Sequence, residues 1–324
     1  MPIGWLVRCA VIGMAWLALV GNAWAVDYPT RSVRVLTGYP PGGAADVIGR
    51  VLVDGLTNSL GQSFYLEGKP GASGNLAGDI LANAAPDGYT LYLAGFGVVT
   101  INHALYHNMT YDPATAFAPV TLLARLPLVI EVNAKLPVTT FQDFVTYAKS
   151  HAPLNHGSPG IGTPAHLTAT LLAAKLGIQS EHVPYRGSGP FISAMMQGEV
   201  DWGIDVPNAV MTLLSAKAVK AIAVTSRARE PTFPDVPSVA ELGMPDLVVE
   251  PWFALVAPAG TPRAIIDRVS TEVGRGFARP DAAARLRQLG YEPSPTTPEE
   301  AATIFATDRT RWSGVVVEHH IKAE

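Results

Sequence analysis

The sequence predicts an α/β protein of two domains, each a mostly parallel sheet flanked by helices, with two crossover strands between them serving as a hinge. Three observations carry that prediction. Strand-like apolar runs alternate with helix-like segments along the chain, the pattern of βαβ units. The 324 residues exceed what one core usually organises. Two apolar, β-rich runs bracketed by proline, residues 126–132 and 252–257, are separated by about one domain of chain, so each marks a passage between domains.

The first 25 residues read as an export signal. Arg8 precedes an apolar run over residues 9–20, and Ala23-Trp24-Ala25 matches the small-x-small pattern, which puts cleavage after about Ala25. The run is too short to span a bilayer comfortably, and Asp27-Tyr28-Pro29 ends it. Cleavage removes Cys9, the sole cysteine, and with it any disulfide or thiolate metal site. It also takes 23 Lys and Arg to 22 against 27 Asp and Glu, a net charge of −5. A mildly acidic protein is a poor partner for nucleic acid or an anionic membrane. With 48% hydrophobic and 15% charged residues, the chain has the composition of a globular protein and not of a disordered one.

The elements follow in order. Residues 32–39 read as a first strand and 45–60 as its helix, stopped by Gly61. The turn Pro86-Asp87-Gly88 opens a strand over 90–94. Helices are expected near 141–150, 164–176, 190–197 and 207–216, then at 262–278, 280–289 and 298–316, most of them started by proline. A first domain is therefore built from both ends of the chain, 26–126 with 252–324, and a second from 127–251.

Three glycine-rich loops are the chemical signal. Tyr39-Pro40-Pro41-Gly42-Gly43-Ala44-Ala45-Asp46 lies where a strand ends and a helix begins, so glycines admit a ligand to the unpaired N–H groups of a positive helix terminus. Asp46 either caps that helix or meets the ligand through water. Residues 157–166 repeat the design, with Thr163 as N-cap, Pro164 first in the helix, amides at Ala165 and His166, and hydroxyls from Ser158 and Thr163. Tyr185-Arg186-Gly187-Ser188-Gly189-Pro190 is the third. Spread over two domains, they predict donor-lined walls of one cleft that binds an anion.

Weaker patterns compete. Gly160-x-Gly162-x-x-Ala165 with Glu181 imitates a dinucleotide fingerprint, but Pro164 and the export signal oppose it, and no cofactor is expected. His103 and His107 have i, i+4 spacing without an acidic partner between them, so no metal is expected. Ser158 and His166 could form a nucleophile and base oriented by Asp201 or Asp205; their place around a helix N-cap fits ligand hydrogen bonding better. Neither a P-loop nor a nucleophile elbow occurs.

From about Tyr28 onward the chain resembles the Bug-type solute-binding proteins of tripartite tricarboxylate transporters. The likeness rests on YPPGGAAD (39–46), KPGASGNLA (69–77), PDGYTLYLA (86–94), SPGIGTPAHL (158–167), VPYRGSGP (183–190), FPDVPSVAELG (233–243) and WFALVAPAGTP (252–262). The resemblance implies a "Venus flytrap" fold, a periplasmic location, a small organic carboxylate ligand and delivery to the permease subunits of such a transporter. A monomer is the default. The resemblance places Tyr39, Gly42, Gly43 and Asp46 on one wall, with Gly97 and Asn102 beside them, and Ser158, Gly162, Thr163 and His166 on the other; Asp205 is a further candidate ligand-binding residue. The family's usual Phe, polar loop residue and Lys are here Tyr39, Ile161 and Arg186, and residues 203–208 match poorly, so the ligand does not follow by analogy. The alternatives are a ligand-sensing receptor for a signalling pathway and, further off, a hydrolase using Ser158 and His166.

Overall fold

The structure, a computed structural model, describes residues 27–39, 41, 43–106 and 108–322. The export signal with its cleavage point at Ala25, and Gly42 and His107, lie outside the described residues.

The strands in chain order are β1 (Val33–Thr37), β2 (Phe64–Gly68), β3 (Thr90–Gly95), β4 (Phe117–Arg125), β5 (Val129–Asn133), β6 (Leu154–Ser158), β7 (Ser180–Pro184), β8 (Trp202–Asp205), β9 (Val219–Val224), β10 (Trp252–Pro258) and β11 (Glu292–Pro293). They form two sheets, ordered β11-β4-β10-β3-β1-β2 and β7-β6-β8-β5-β9. The first draws on both ends of the described chain and the second on its middle. Each sheet is mixed, where the alternation alone predicts mostly parallel strands. β1 runs parallel to β2 and β3, and β6 to β7 and β8, but β10, β4 and β11 pair antiparallel in one sheet and β5 pairs antiparallel with β8 and β9 in the other. The reason is topological: β5 and β10 arrive from the opposite lobe without a crossover helix to turn them round.

The two passages are tied together. Leu126 N–H donates to Pro251 O at 2.9 Å. Thr225, fully buried, takes the Leu128 N–H on its Oγ1 at 2.8 Å and donates that hydroxyl to Val249 O at 2.5 Å. Its own N–H reaches Leu128 O and its carbonyl accepts from Val249 N–H, both at 2.9 Å.

Helix starts follow the local chemistry. Pro164–Leu176, Pro207–Ser215, Pro280–Arg287 and Pro298–Glu318 each begin on the proline, whose missing N–H is one the first turn cannot pair anyway. Thr140 and Thr297 start Phe141–Ser150 and Pro298–Glu318 with reciprocal side-chain bonds to Asp143 and Glu300. The long C-terminal helix seals the passage side, where Trp252 stacks on Phe305 at 4.7 Å and donates to Asp308 at 2.8 Å. In the second sheet, a Cβ on Gly157 or Gly203 would stand 2.2 or 2.3 Å from Phe191, so both strands lack side chains where the Ser188–Gln197 helix lies down. Among the described residues no helix is long and apolar enough to cross a membrane.

Candidate functional site

β1 and β3 are parallel neighbours with Thr37 opposite Leu93, so the turns that follow them lie side by side. β6 is parallel to β7 and β8, with Ser158 opposite Pro184 and Gly157 opposite Gly203. That brings the loops after Ser158, Pro184 and Asp205 to one edge, where Tyr185 N–H donates to Ser158 O at 3.1 Å and Gly187 N–H to Pro159 O at 2.9 Å. The two groups of loops meet where Gly162 packs on Leu105: a Cβ there would stand 2.1 Å from Leu105 Cδ1.

On the first wall, Tyr39 folds back over the end of β3. Its ring lies edge-on to Phe253 at 5.7 Å, and a Cβ on Gly95 would meet its hydroxyl at 2.0 Å. Burial pushes its phenol up to about 12, so it is a neutral group. Gly43 caps the Ala44–Leu60 helix by backbone alone, and a Cβ placed on it meets nothing within 4 Å. That open space is what a ligand approaching the first turn requires. Asp46 is held by Arg50 one turn on, which grips both its carboxylate oxygens at 3.2 Å. The pair lines a cavity of about 630 Å³ with Thr37, Tyr39, Asp54, Tyr65 and Arg285.

Gly97 sits half-buried in the first turn of the short Phe96–Thr100 helix, its Cβ position 3.6 Å from Asn102 Oδ1. Asn102 is buried, and its amide donates to Asn75 Oδ1 at 2.7 Å and Ser73 O at 3.3 Å. Its side-chain amide thus latches the 73–75 loop.

The second wall is fastened internally. Ser158 Oγ is fully buried, donates to Gly160 O at 3.1 Å, accepts from Gly160 N–H at 3.2 Å and lies 2.8 Å from His182 Nε2. Thr163 is the N-cap, accepting His166 N–H at 3.3 Å, but its hydroxyl also donates to Gly160 O at 2.8 Å. Gly162, at φ +73°, donates its N–H to His166 Nδ1 at 3.0 Å. Ser158, Gly162 and Thr163, expected to offer donors to a ligand, bond within the loop and frame it. Two groups in the first turn meet no acceptor among the described residues. One is the Ala165 N–H. The other belongs to His166, because Nδ1 accepts and the neutral ring must carry its proton on Nε2.

His182, absent from the sequence reading, stacks on His166 at 3.8 Å and 11° and on His156 at 5.0 Å and 27°. Burial, reinforced by neighbouring rings, lowers His156 and His166 to about 3, and burial lowers His182 to about 4, so all three are neutral at ordinary pH. The register His156 opposite His182 across β6 and β7 creates this stack. Each histidine sits in a different segment, so no local pattern signals it.

Asp205 is buried at the end of β8, where Oδ1 accepts Ser188 Oγ at 2.9 Å and Val206 N–H at 2.7 Å, while Oδ2 has no partner. Burial raises its carboxyl to about 7. Burial, with Asp205 adding to it, also raises Glu131, whose carboxyl oxygens are unpartnered too. Asp205 supports the third loop through Ser188 and does not line the cleft as a charge. Its neighbour Asn208 accepts the hydroxyl of Tyr291, from the first lobe, at 3.1 Å. No Ser158-His166-Asp triad forms: Ser158 meets His182, and Asp201 is engaged by Asn155 N–H at 2.8 Å. Among the described residues no cluster could hold a metal, and His103 bonds Ser313 at 2.9 Å.

The profile of the tripartite tricarboxylate transporter family receptor, TctC, matches residues 48–321. Protein BugT of Bordetella pertussis is 32% identical over 95% of this chain and 96% of its own length. Two solved structures are similar throughout. Rpa4515 of R. palustris with adipate is 33% identical, with a TM-score of 0.82, covering 91% of this chain and 99% of that one. MatC from Rhodopseudomonas palustris with bound malate is 32% identical, with a TM-score of 0.77, covering 89% and 100%.

Proposed function

Because the chain belongs to the tripartite tricarboxylate transporter receptor family, we propose that it is an exported periplasmic receptor that captures a small organic carboxylate between its two lobes. The captured acid passes to the membrane permease subunits of a tripartite transporter. The lobes comprise residues 26–126 with 252–324 and residues 127–251, acting as a monomer.

One observation carries the reading. The first turn of Pro164–Leu176 holds two donors without internal acceptors, the Ala165 N–H and the His166 Nε2–H, beside the point where Gly162 touches the opposite lobe. An acid group accepting both satisfies them and recovers part of what it loses on leaving water. A neutral imidazole and a helix terminus suit this task, since no buried cation remains unpaired when the cleft is empty. Gly43 supplies the matching gap on the other wall. Adipate and malate in the structures of relatives support the same ligand class. The ligand stabilises the closed lobes by its differential affinity for that state.

A panel of mono-, di- and tricarboxylates in a thermal-shift assay, followed by calorimetry on the hits, tests this. A shift with at least one acid and one site per chain is expected. Silence across the whole panel would overturn the proposal.

A further inference from the structure

We propose that His182 is a positioning residue for ligand capture: stacked on His166 and tied to Ser158, it holds the His166 ring in the one tautomer and orientation that presents Nε2–H to a carboxylate. This rests on the reading of His166 as a ligand donor.

The geometry leads there in three steps. The second torsion of a histidine side chain is broad and two-fold, so a ring in the first turn of a helix is free to rotate and to flip its nitrogens unless something holds it. Here two contacts do. Gly162 N–H donates to Nδ1 at 3.0 Å, which sets the tautomer, and the His182 face at 3.8 Å and 11° sets the plane. His182 in turn is gripped from both sides. Its Nε2 lies 2.8 Å from Ser158 Oγ, and its other face meets His156 at 5.0 Å.

The far end of the stack is anchored in the core. Ser180 Oγ donates to Leu154 O at 3.0 Å and accepts from Trp202 Nε1 at 3.1 Å, so the 2.8 Å contact with His156 Nδ1 is a bond donated by the histidine. His156 Nε2 is then buried with no partner, so its ring holds no second proton. The three rings form a chain from Ser180 to the cleft. His166, itself buried, is the end that lies in the first helical turn.

The test reads tautomer and affinity separately. With the purified protein carrying nitrogen-15 in its imidazoles, His166 should show a lone pair at Nδ1 and a proton at Nε2 as one fixed species. In His182→Ala that signature should move toward the mixed tautomers of a free imidazole, and adipate binding should weaken about tenfold, the worth of one charge-assisted hydrogen bond. His182→Phe keeps a ring to stack on and should retain the His166 signature with most of the affinity, which separates positioning from a fold defect. An unchanged His166 signature in His182→Ala would overturn the inference, as would unchanged adipate affinity in that variant while His166→Ala loses it; the family-level function survives both. Unchanged affinity in His166→Ala would overturn the underlying assignment of His166 as a donor.

Discussion

The two helix-start loops proposed to wall the cleft look alike in sequence and are built differently. Around Gly43 the backbone is bare: the helix has no side-chain cap, and a Cβ would meet nothing. Around Gly162 nearly every polar group already has a partner, and a Cβ would collide with the opposite lobe. A glycine-rich loop at a helix start can thus leave room for a ligand, or it can be a fastened frame whose glycines serve the frame. Here each wall does one of these. Binding strength should therefore reside in the second wall and tolerance in the first.

The largest effect expected is on stability in acid, and it centres on the second wall. The unfolded chain takes up protons at histidine below about 6.5, whereas the folded rings of His156, His166 and His182 resist until about 3, 3 and 4. The unfolded state binds more protons across that window, so stability is full above it and falls as pH drops through it. Denaturant midpoints measured from pH 7 to 4 should decline steeply. A flat profile would mean that the rings are not buried as a stack.

Next is His166→Ala, expected to weaken carboxylate binding by about 1.5–3 kcal/mol, the range for a hydrogen bond to a charged group. Calorimetry with a carboxylate found in the panel gives the number. Asp205→Asn acts with the opposite pH sign to the histidines. The folded carboxyl stays protonated to about 7, while the unfolded one ionises near 3.9, so wild-type stability is lost as pH rises between them. The variant should be more stable than wild type by roughly 1–3 kcal/mol at pH 8 and equal to it at pH 4.

Thr163→Val removes a helix cap and should cost about 1 kcal/mol of stability. It should also lower affinity by loosening the turn that presents Ala165 N–H. The smallest stability change is expected at Gly43→Val, within about 0.5 kcal/mol, because φ is −88° and the space is open. Its carboxylate affinity should still fall several-fold. Equal affinity losses in the two variants with no stability loss in Thr163→Val would erase the difference between the walls.

Much of the architecture was legible from residues alone. Proline at the first helical position marked four helix starts at the observed residue, and the two proline-bracketed runs marked the passages between sheets. The mixed strand directions were not legible, because direction depends on which lobe a strand enters from. The helix-start loops are legible as loops, but the internal bonds of Ser158, Gly162 and Thr163 are not. Their hydroxyls and amide serve Gly160 O and His166 Nδ1, contacts that depend on the folded course of the turn. The partners of the Asn102 amide are hidden for the same reason, lying 27 and 29 positions away. His182 was invisible because it becomes meaningful only through its pairing with His156 across two strands.

Thr225 gives the two passages a shared fate. Since one side chain bonds to both, with its backbone reinforcing each bond, neither passage can swivel without dragging the other, and the lobes are left with a single axle instead of two independent ropes. Any change in the angle between the lobes must then load both passages at once.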